Sequence, residues 1–286
     1  AEIKEVLSFM TGIPVYEVTE SEKHKFLNID KKLNRRIIGQ ENAIKSISSA
    51  IQRSRAGLKN PNRPIGVFLF LGPTGVGKTQ AAKSLAKYLF PYKNSLIRID
   101  MSEFSERFSL SRLIGSPPGY VGYDEGGELT EKVRRNPYSV VLFDEIEKGH
   151  QDIYNILLQV FDEGILTDAM GRKVDFKNTI LIMTSNIGTR NLKENGIGFF
   201  EENRVTDQNK VESTIFKSVK NIFSPELLNR LDEIIVFNSL SERDIFKIIE
   251  LQLKDLYHNL SELGINLRVY KTAKNLILEK GYNIDY

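Results

Sequence analysis

Apolar residues fall along this 286-residue chain in two textures. In the first, short apolar runs stop at glycine or at polar residues: IGVFLFL before Gly72, then Ser95–Asp100, Val140–Phe143, Thr179–Met183 and Glu233–Phe237. Such runs, as opposed to strict alternation, predict strands buried on both faces, and so a parallel sheet with helices on either side. In the second texture, Ala43/Ile44, Ile47 and Ala50/Ile51 recur at helical spacing and predict an amphipathic helix over residues 41–58, broken by Lys59–Pro64. Another helix is expected from about Thr79 to Phe90, and the polar stretch Glu201–Glu212 reads as a loop. After Phe237 the pattern changes to one long helix over Ser241–Glu262, a short strand at INLRV (265–269) and a further helix over Lys271–Lys280. The expected organisation is a lead-in over 1–35, a large α/β domain over 36–238 and the start of a small helical domain over 239–286. The pattern has not wound down at Tyr286 and the chain opens on Ala1, which suggests a segment of something longer.

Composition narrows the classes. Forty Lys+Arg against 37 Asp+Glu are interspersed, giving a net charge of +3, which is not the basic footprint of a nucleic-acid binder. Without cysteine there is no disulfide framework, thiolate metal site or catalytic thiol, and a reducing compartment is the expectation. No run approaches the roughly 20 apolar residues of a membrane span, and no signal-peptide pattern opens the chain, so neither membrane nor nucleic acid is expected as a partner.

The chemistry concentrates at strand ends. Gly72-Pro73-Thr74-Gly75-Val76-Gly77-Lys78-Thr79 fits the phosphate-binding pattern G-x-x-x-x-G-K-[ST], between a predicted strand and a predicted helix. Its glycines let backbone N–H groups wrap phosphates, Lys78 reaches the β- and γ-phosphates, and the Thr79 hydroxyl can ligate magnesium. VVLF runs into Asp144 and Glu145: Asp144 is placed to hold the metal through water and Glu145 to polarise the attacking water. Read alone, that pair could equally be a capping Asp beside a solvated Glu. Asn186, after Thr184-Ser185, could orient the same water, although asparagine at a strand end is also a common turn former. A guanine reader N-K-x-D is missing, since Asn209-Lys210-Val211-Glu212 ends in Glu, so ATP with Mg2+ is the expected cargo.

With these motifs in order, LSFMTGIPV, RRIIGQENAI, GPTGVGKT, DMSEF, GSPPGYVGYDEGG, VVLFDEIEK, TSNIG and PELLNRLDEIIVF together resemble the AAA+ ATPases, specifically the second ATPase module of the Clp unfoldases. The resemblance implies a five-stranded parallel sheet with flanking helices plus a helical lid, and homo-hexameric rings with ATP between subunits. It implies that Ile37 and Ile38 line the adenine pocket, unless they are ordinary core residues. It implies that Arg230 is an arginine finger acting on the neighbouring subunit's γ-phosphate, the alternative being a surface pair with Asp232 or Glu233. Gly119, Tyr120, Val121 and Gly122 resemble the pore loop that grips unfolded protein: an aromatic ring holds any sequence by apolar contact, and glycines supply the hinge. The competing reading is a buried tyrosine. Ile197, Gly198 and Phe199 resemble the tripeptide by which ClpC-like members dock on the ClpP protease and which ClpB-like disaggregases lack; self-packing is its alternative. The family's lid also carries a sensor arginine in a segment that would follow Tyr286. Location in a bacterial cytoplasm or a plastid-type stroma is implied.

Overall fold

The computed structural model describes residues 26–91, 94–106, 108–116, 119, 126–187 and 206–281. Five strands, β1 (Gly66–Leu71), β2 (Leu96–Asp100), β3 (Val140–Asp144), β6 (Ile180–Ser185) and β7 (Glu233–Val236), form one parallel sheet in the order β2-β3-β6-β1-β7. β1, β3 and β6 are buried along their whole length, which is why their sequences are apolar runs and not alternations.

The pleat still sorts their side chains between two cores. Val67, Leu69 and Leu71 face a core shared with α4 (Ser109–Ile114), α5 (Glu128–Arg135), α6 (Gln151–Glu163), α7 (Thr206–Ile222) and α8 (Pro225–Arg230). Phe68 and Phe70 face the other, built with α1 (Ile29–Asn34), α2 (Glu41–Arg53) and α3 (Lys78–Leu89). On α3 the inward residues Ala81, Ala82 and Ala86 are small, so the helix backbone lies close over the sheet and its N-terminus meets the strand ends.

Three local expectations are corrected. α2 ends at Arg53 and the remainder of the predicted helix is a wider π turn, Ser54–Leu58, holding Gly57 at φ 78°. α7 starts at Thr206, inside the stretch read as a loop, because Ile215, Val219 and Phe223 give it a buried stripe that its polar beginning concealed. Residues 265–270 form no strand: Ile265 and Leu267 are exposed and no described strand pairs with them, and a ladder needs a partner. An antiparallel hairpin that pattern reading overlooked, β4 (Ile165–Thr167) with β5 (Lys173–Asp175), follows α6; three-residue strands carry too little alternation to register.

Past β7 the chain enters α9 (Glu242–Glu262), opened by a reciprocal capping box between Ser241 and Asp244, and then α10 (Lys271–Gly281). A single amide stitches this junction to the phosphate loop. Gln40, 2% exposed, donates Nε2 to the carbonyls of Val76 (3.2 Å) and Asn238 (2.8 Å), while its Oε1 accepts the Asn238 N–H at 3.1 Å. Gln40→Leu leaves three backbone groups unpartnered and is expected to lower unfolding free energy by about 2 kcal/mol. A denaturant titration checks this; an unchanged midpoint would remove the amide from that role.

Candidate nucleotide site

The phosphate loop is shaped by what its backbone cannot tolerate. Gly72 sits at φ 147° so close to β7's end that an added Cβ would lie 2.5 Å from the Phe237 carbonyl. Gly77, at φ 102°, turns the chain into α3, whose first N–H groups face the loop. The resulting cavity, about 390 Å³, is lined by Thr74, Gly75, Gly77, Lys78, Thr79, Asp144, Glu145 and Asn186, among others. Three strand ends distant in sequence meet there, as the motifs predicted.

Lys78 is buried, and its three ammonium donors reach the carbonyls of Gly72 (2.5 Å) and Pro73 (2.6 Å) and Oδ1 of Asn186 (2.8 Å). Burial lowers its pKa to about 8, against the opposing pull of the Glu147, Asp144 and Glu145 carboxylates.

Asp144 is also buried. Its Oδ1 accepts from the Thr184 hydroxyl at 2.5 Å, and its Oδ2 accepts from Arg98 Nε at 3.0 Å, with Arg98 Nη2 2.8 Å away. Glu145 occupies the left-handed region at φ 55°, ψ 52°, a conformation costing on the order of 1–3 kcal/mol for a non-glycine residue. Its N–H donates to Thr184 Oγ1 (3.0 Å), its carbonyl accepts the Lys148 N–H (2.9 Å), and its Oε2 pairs with Lys148 Nζ at 2.5 Å. Oε1 lies 3.5 Å from Asn186 Nδ2. The reading of Asp144 as a helix cap is not what the geometry displays, since both its oxygens are taken by side chains of neighbouring strands.

Sequence reading passed over three contributors. Thr184 uses one hydroxyl both to donate to Asp144 and to accept from Glu145, which ties β6 to the acidic pair. Glu147 accepts the Asn186 N–H at 3.0 Å and so holds the end of β6. Arg98 approaches from β2. The polar tip Thr184-Ser185-Asn186 and the repeated acid in DEIEK were visible signals for the first two; nothing local marked Arg98.

A magnesium ion fits this donor set: the Thr79 hydroxyl and the Asp144 carboxylate border one cavity and both offer hard oxygen. Among the described residues no group of three His, Cys, Asp or Glu converges as a self-sufficient metal cage.

The remaining predicted residues lie elsewhere. Ile37 is 4% exposed and packs in the core of α1–α3, and Ile38 is half-buried; neither borders the cavity. Arg230, at the end of α8, is half-exposed and pairs with Asp162 at 3.0 Å. The partners expected under the surface-pair alternative are engaged otherwise, Asp232 with Lys59 at 2.5 Å and Glu233 with Arg53 at 2.7 Å. Gly119 has φ 89°, and nothing lies within 4 Å of where its Cβ would be. Tyr120, Val121 and Gly122, like Ile197, Gly198 and Phe199, lie outside the described residues.

A phosphate loop after β1, an acidic pair after β3 and an asparagine after β6 of a five-stranded parallel sheet define a P-loop ATPase module of AAA type. Residues 63–234 match the family described as AAA domain (Cdc48 subfamily), and residues 240–286 match the C-terminal, D2-small domain, of ClpB protein. The chain belongs to the AAA family, as a second ATPase module of Clp type. It is 52% identical over 285 residues (99% of its length) to the ATP-dependent Clp protease ATP-binding subunit ClpC of Staphylococcus epidermidis. It is also 52% identical over its whole length to the proteins of that name in Staphylococcus saprophyticus and Staphylococcus aureus. It spans 35% of the length of each of these relatives.

Lys78 gives the site a pH signature. Phosphate oxygens favour the charged ammonium, so bound nucleotide raises its pKa above the free value of about 8. Affinity for an ATP analogue is therefore expected to be level below that pH and to fall above it, by up to about tenfold per pH unit. Fluorescence titrations on both sides of that value check it; a flat profile would mean Lys78 does not meet the phosphates.

Proposed function

We propose that this chain hydrolyses ATP to drive polypeptide through a homo-hexameric ring, and that it hands the chain to a ClpP-type protease. The observation that carries the reading is the convergence of Lys78, Thr79, Asp144, Glu145 and Asn186 on one cavity. Lys78 and the loop N–H groups bind the phosphates. Glu145 takes up the proton of the attacking water, and Asn186, held by Lys78 and Glu147, orients that water. Thr79 and Asp144 would hold a magnesium ion, which would supply positive charge to the phosphates. Arg230 exchanges Asp162 for the γ-phosphate in the neighbouring subunit's site, a move open to a half-exposed guanidinium. Ile37 and Ile38 line the adenine pocket, outside the cavity that takes the phosphates.

The grip belongs to Tyr120 and Val121 between Gly119 and Gly122. What supports it is the way both roots of that loop are clamped. The Ala169 N–H of the β4–β5 hairpin donates to the Ile114 carbonyl at 3.1 Å, and Arg172 bridges Asp168 (2.7 Å) and Glu131 (2.6 Å). The ATPase domain is assigned to 36–238, its lead-in to 1–35 and the lid to residues from 239. The staphylococcal relatives favour a bacterial cytoplasm, and no described helix is long and apolar enough to cross a membrane.

Two substitutions separate firing from gripping. Glu145→Gln is expected to keep ATP binding and lose hydrolysis by at least about a hundredfold, whereas Tyr120→Ala keeps hydrolysis and loses threading of an unfolded, tagged substrate through the assembled ring. Equal loss of ATPase in Tyr120→Ala would make the tyrosine structural. The D2-small match also fits a ClpB-like disaggregase with no protease partner. Deleting residues 197–199 is expected to abolish ClpP-dependent degradation while unfolding persists; unchanged degradation would remove the tripeptide from that role, and no ClpP-dependent degradation by the parent chain would favour the disaggregase.

A further inference from the structure

Arg98 sits on the edge strand β2, where Ile97 and Ile99 turn into the core and Arg98 takes the opposite face with Asp100. In the β2–β3 register Arg98 lies opposite Leu142 and Asp100 opposite Asp144. The guanidinium therefore reaches Asp144 along the diagonal, the ordinary reach of a long side chain on a parallel pair.

Three observations set this contact apart from a surface ion pair. Nε and Nη2 both converge on the single oxygen Oδ2, at 3.0 and 2.8 Å. The other oxygen, Oδ1, accepts from Thr184, so both oxygens of the carboxylate are engaged by protein donors. The Arg98 side chain is 51% exposed while that of Asp144 is 10% exposed, so the cation can leave and the carboxylate cannot. The guanidinium has room to move: Arg98 borders both the nucleotide cavity and a second, open cavity of about 800 Å³ along the β2 edge, whose lining mixes Glu128 and Glu131 with Arg112, Lys132 and Arg135.

An arginine keeps its charge at any physiological pH, and a dication together with its water cannot share Oδ2 with two guanidinium donors. We propose that Arg98 is a positioning residue. It is an internal counter-cation that holds Asp144 ready, contributes positive charge to the phosphates when no metal is bound, and yields Oδ2 as the magnesium nucleotide enters. It thereby sets the magnesium concentration at which the site loads. The proposal rests on the reading of Asp144 as the metal-side carboxylate.

Opposite-signed shifts test it, with binding of a fluorescent ATP analogue to the 286-residue chain as readout. In EDTA, Arg98→Met is expected to bind the analogue about three- to tenfold more weakly, one cation having been removed from the phosphates. In a magnesium titration its half-saturating Mg2+ is expected to fall by about three- to tenfold, Oδ2 being free and a competing charge gone. Arg98→Lys, a single-point cation, lies between the two. Parallel weakening with and without magnesium, or an unchanged or higher magnesium requirement in Arg98→Met, overturns the proposal. Asp144→Asn distinguishes the underlying reading: it is expected to blunt the magnesium dependence in both backgrounds. If Asp144→Asn titrates like the parent chain, the metal role of Asp144 falls first.

Discussion

The site depends on one constraint, the register of the parallel sheet. β1, β3 and β6 are apolar on both faces, so slipping any of them by a residue would move every side chain into the wrong core. In the register adopted, Leu71 lies beside Ser185 and Phe143 beside Met183. The strands consequently end level, and the first polar residue beyond each faces the same space. Thr184 turns that mechanical alignment into chemistry. Its hydroxyl sits between Asp144 and the Glu145 N–H, so the acidic pair is aimed by the adjacent strand and not by its own loop.

Around this alignment the protein keeps charge that is expensive to bury. Lys78, Asp144 and Asp168 are all nearly inaccessible, and each is matched by donors or acceptors already in place. Glu145 adds backbone strain where the reacting water is expected. The two apolar cores flanking the sheet offset these costs, which explains why a small, polar and partly strained cluster can persist at the ends of its inner strands. It also explains why the cluster can be preorganised, since its dipoles are set before any ligand arrives.

The same arrangement links the site to the rest of the molecule through short covalent steps. The segment after Glu145 leads through the turn Ile146–Lys148 into α6, α6 ends at the β4–β5 hairpin, and the hairpin binds the roots of the 115–127 loop. On the opposite side Gln40 ties the phosphate loop to Asn238, just before the small helical domain.

Local pattern was sufficient for the parallel sheet, the phosphate loop, the acidic pair and the polar tip at Asn186, because each depends on residues close in sequence: an apolar run, a glycine spacing, a carboxylate at a strand end. It failed where the deciding partner is remote. INLRV looks like a strand until one asks what it pairs with, and Glu201–Glu212 looks like a loop until Ile215, Val219 and Phe223 supply a face to bury. Asp162 as the companion of Arg230, Gln40 as the stitch between the phosphate loop and Asn238, and Arg98 as the counter-charge on Asp144 are contacts between groups far apart along the chain. Residue type and spacing determined what chemistry this protein carries; only the packing of strands and helices decided which groups aim it, because hydrogen bonds and ion pairs are fixed by distance in space and the sequence records distance along the chain.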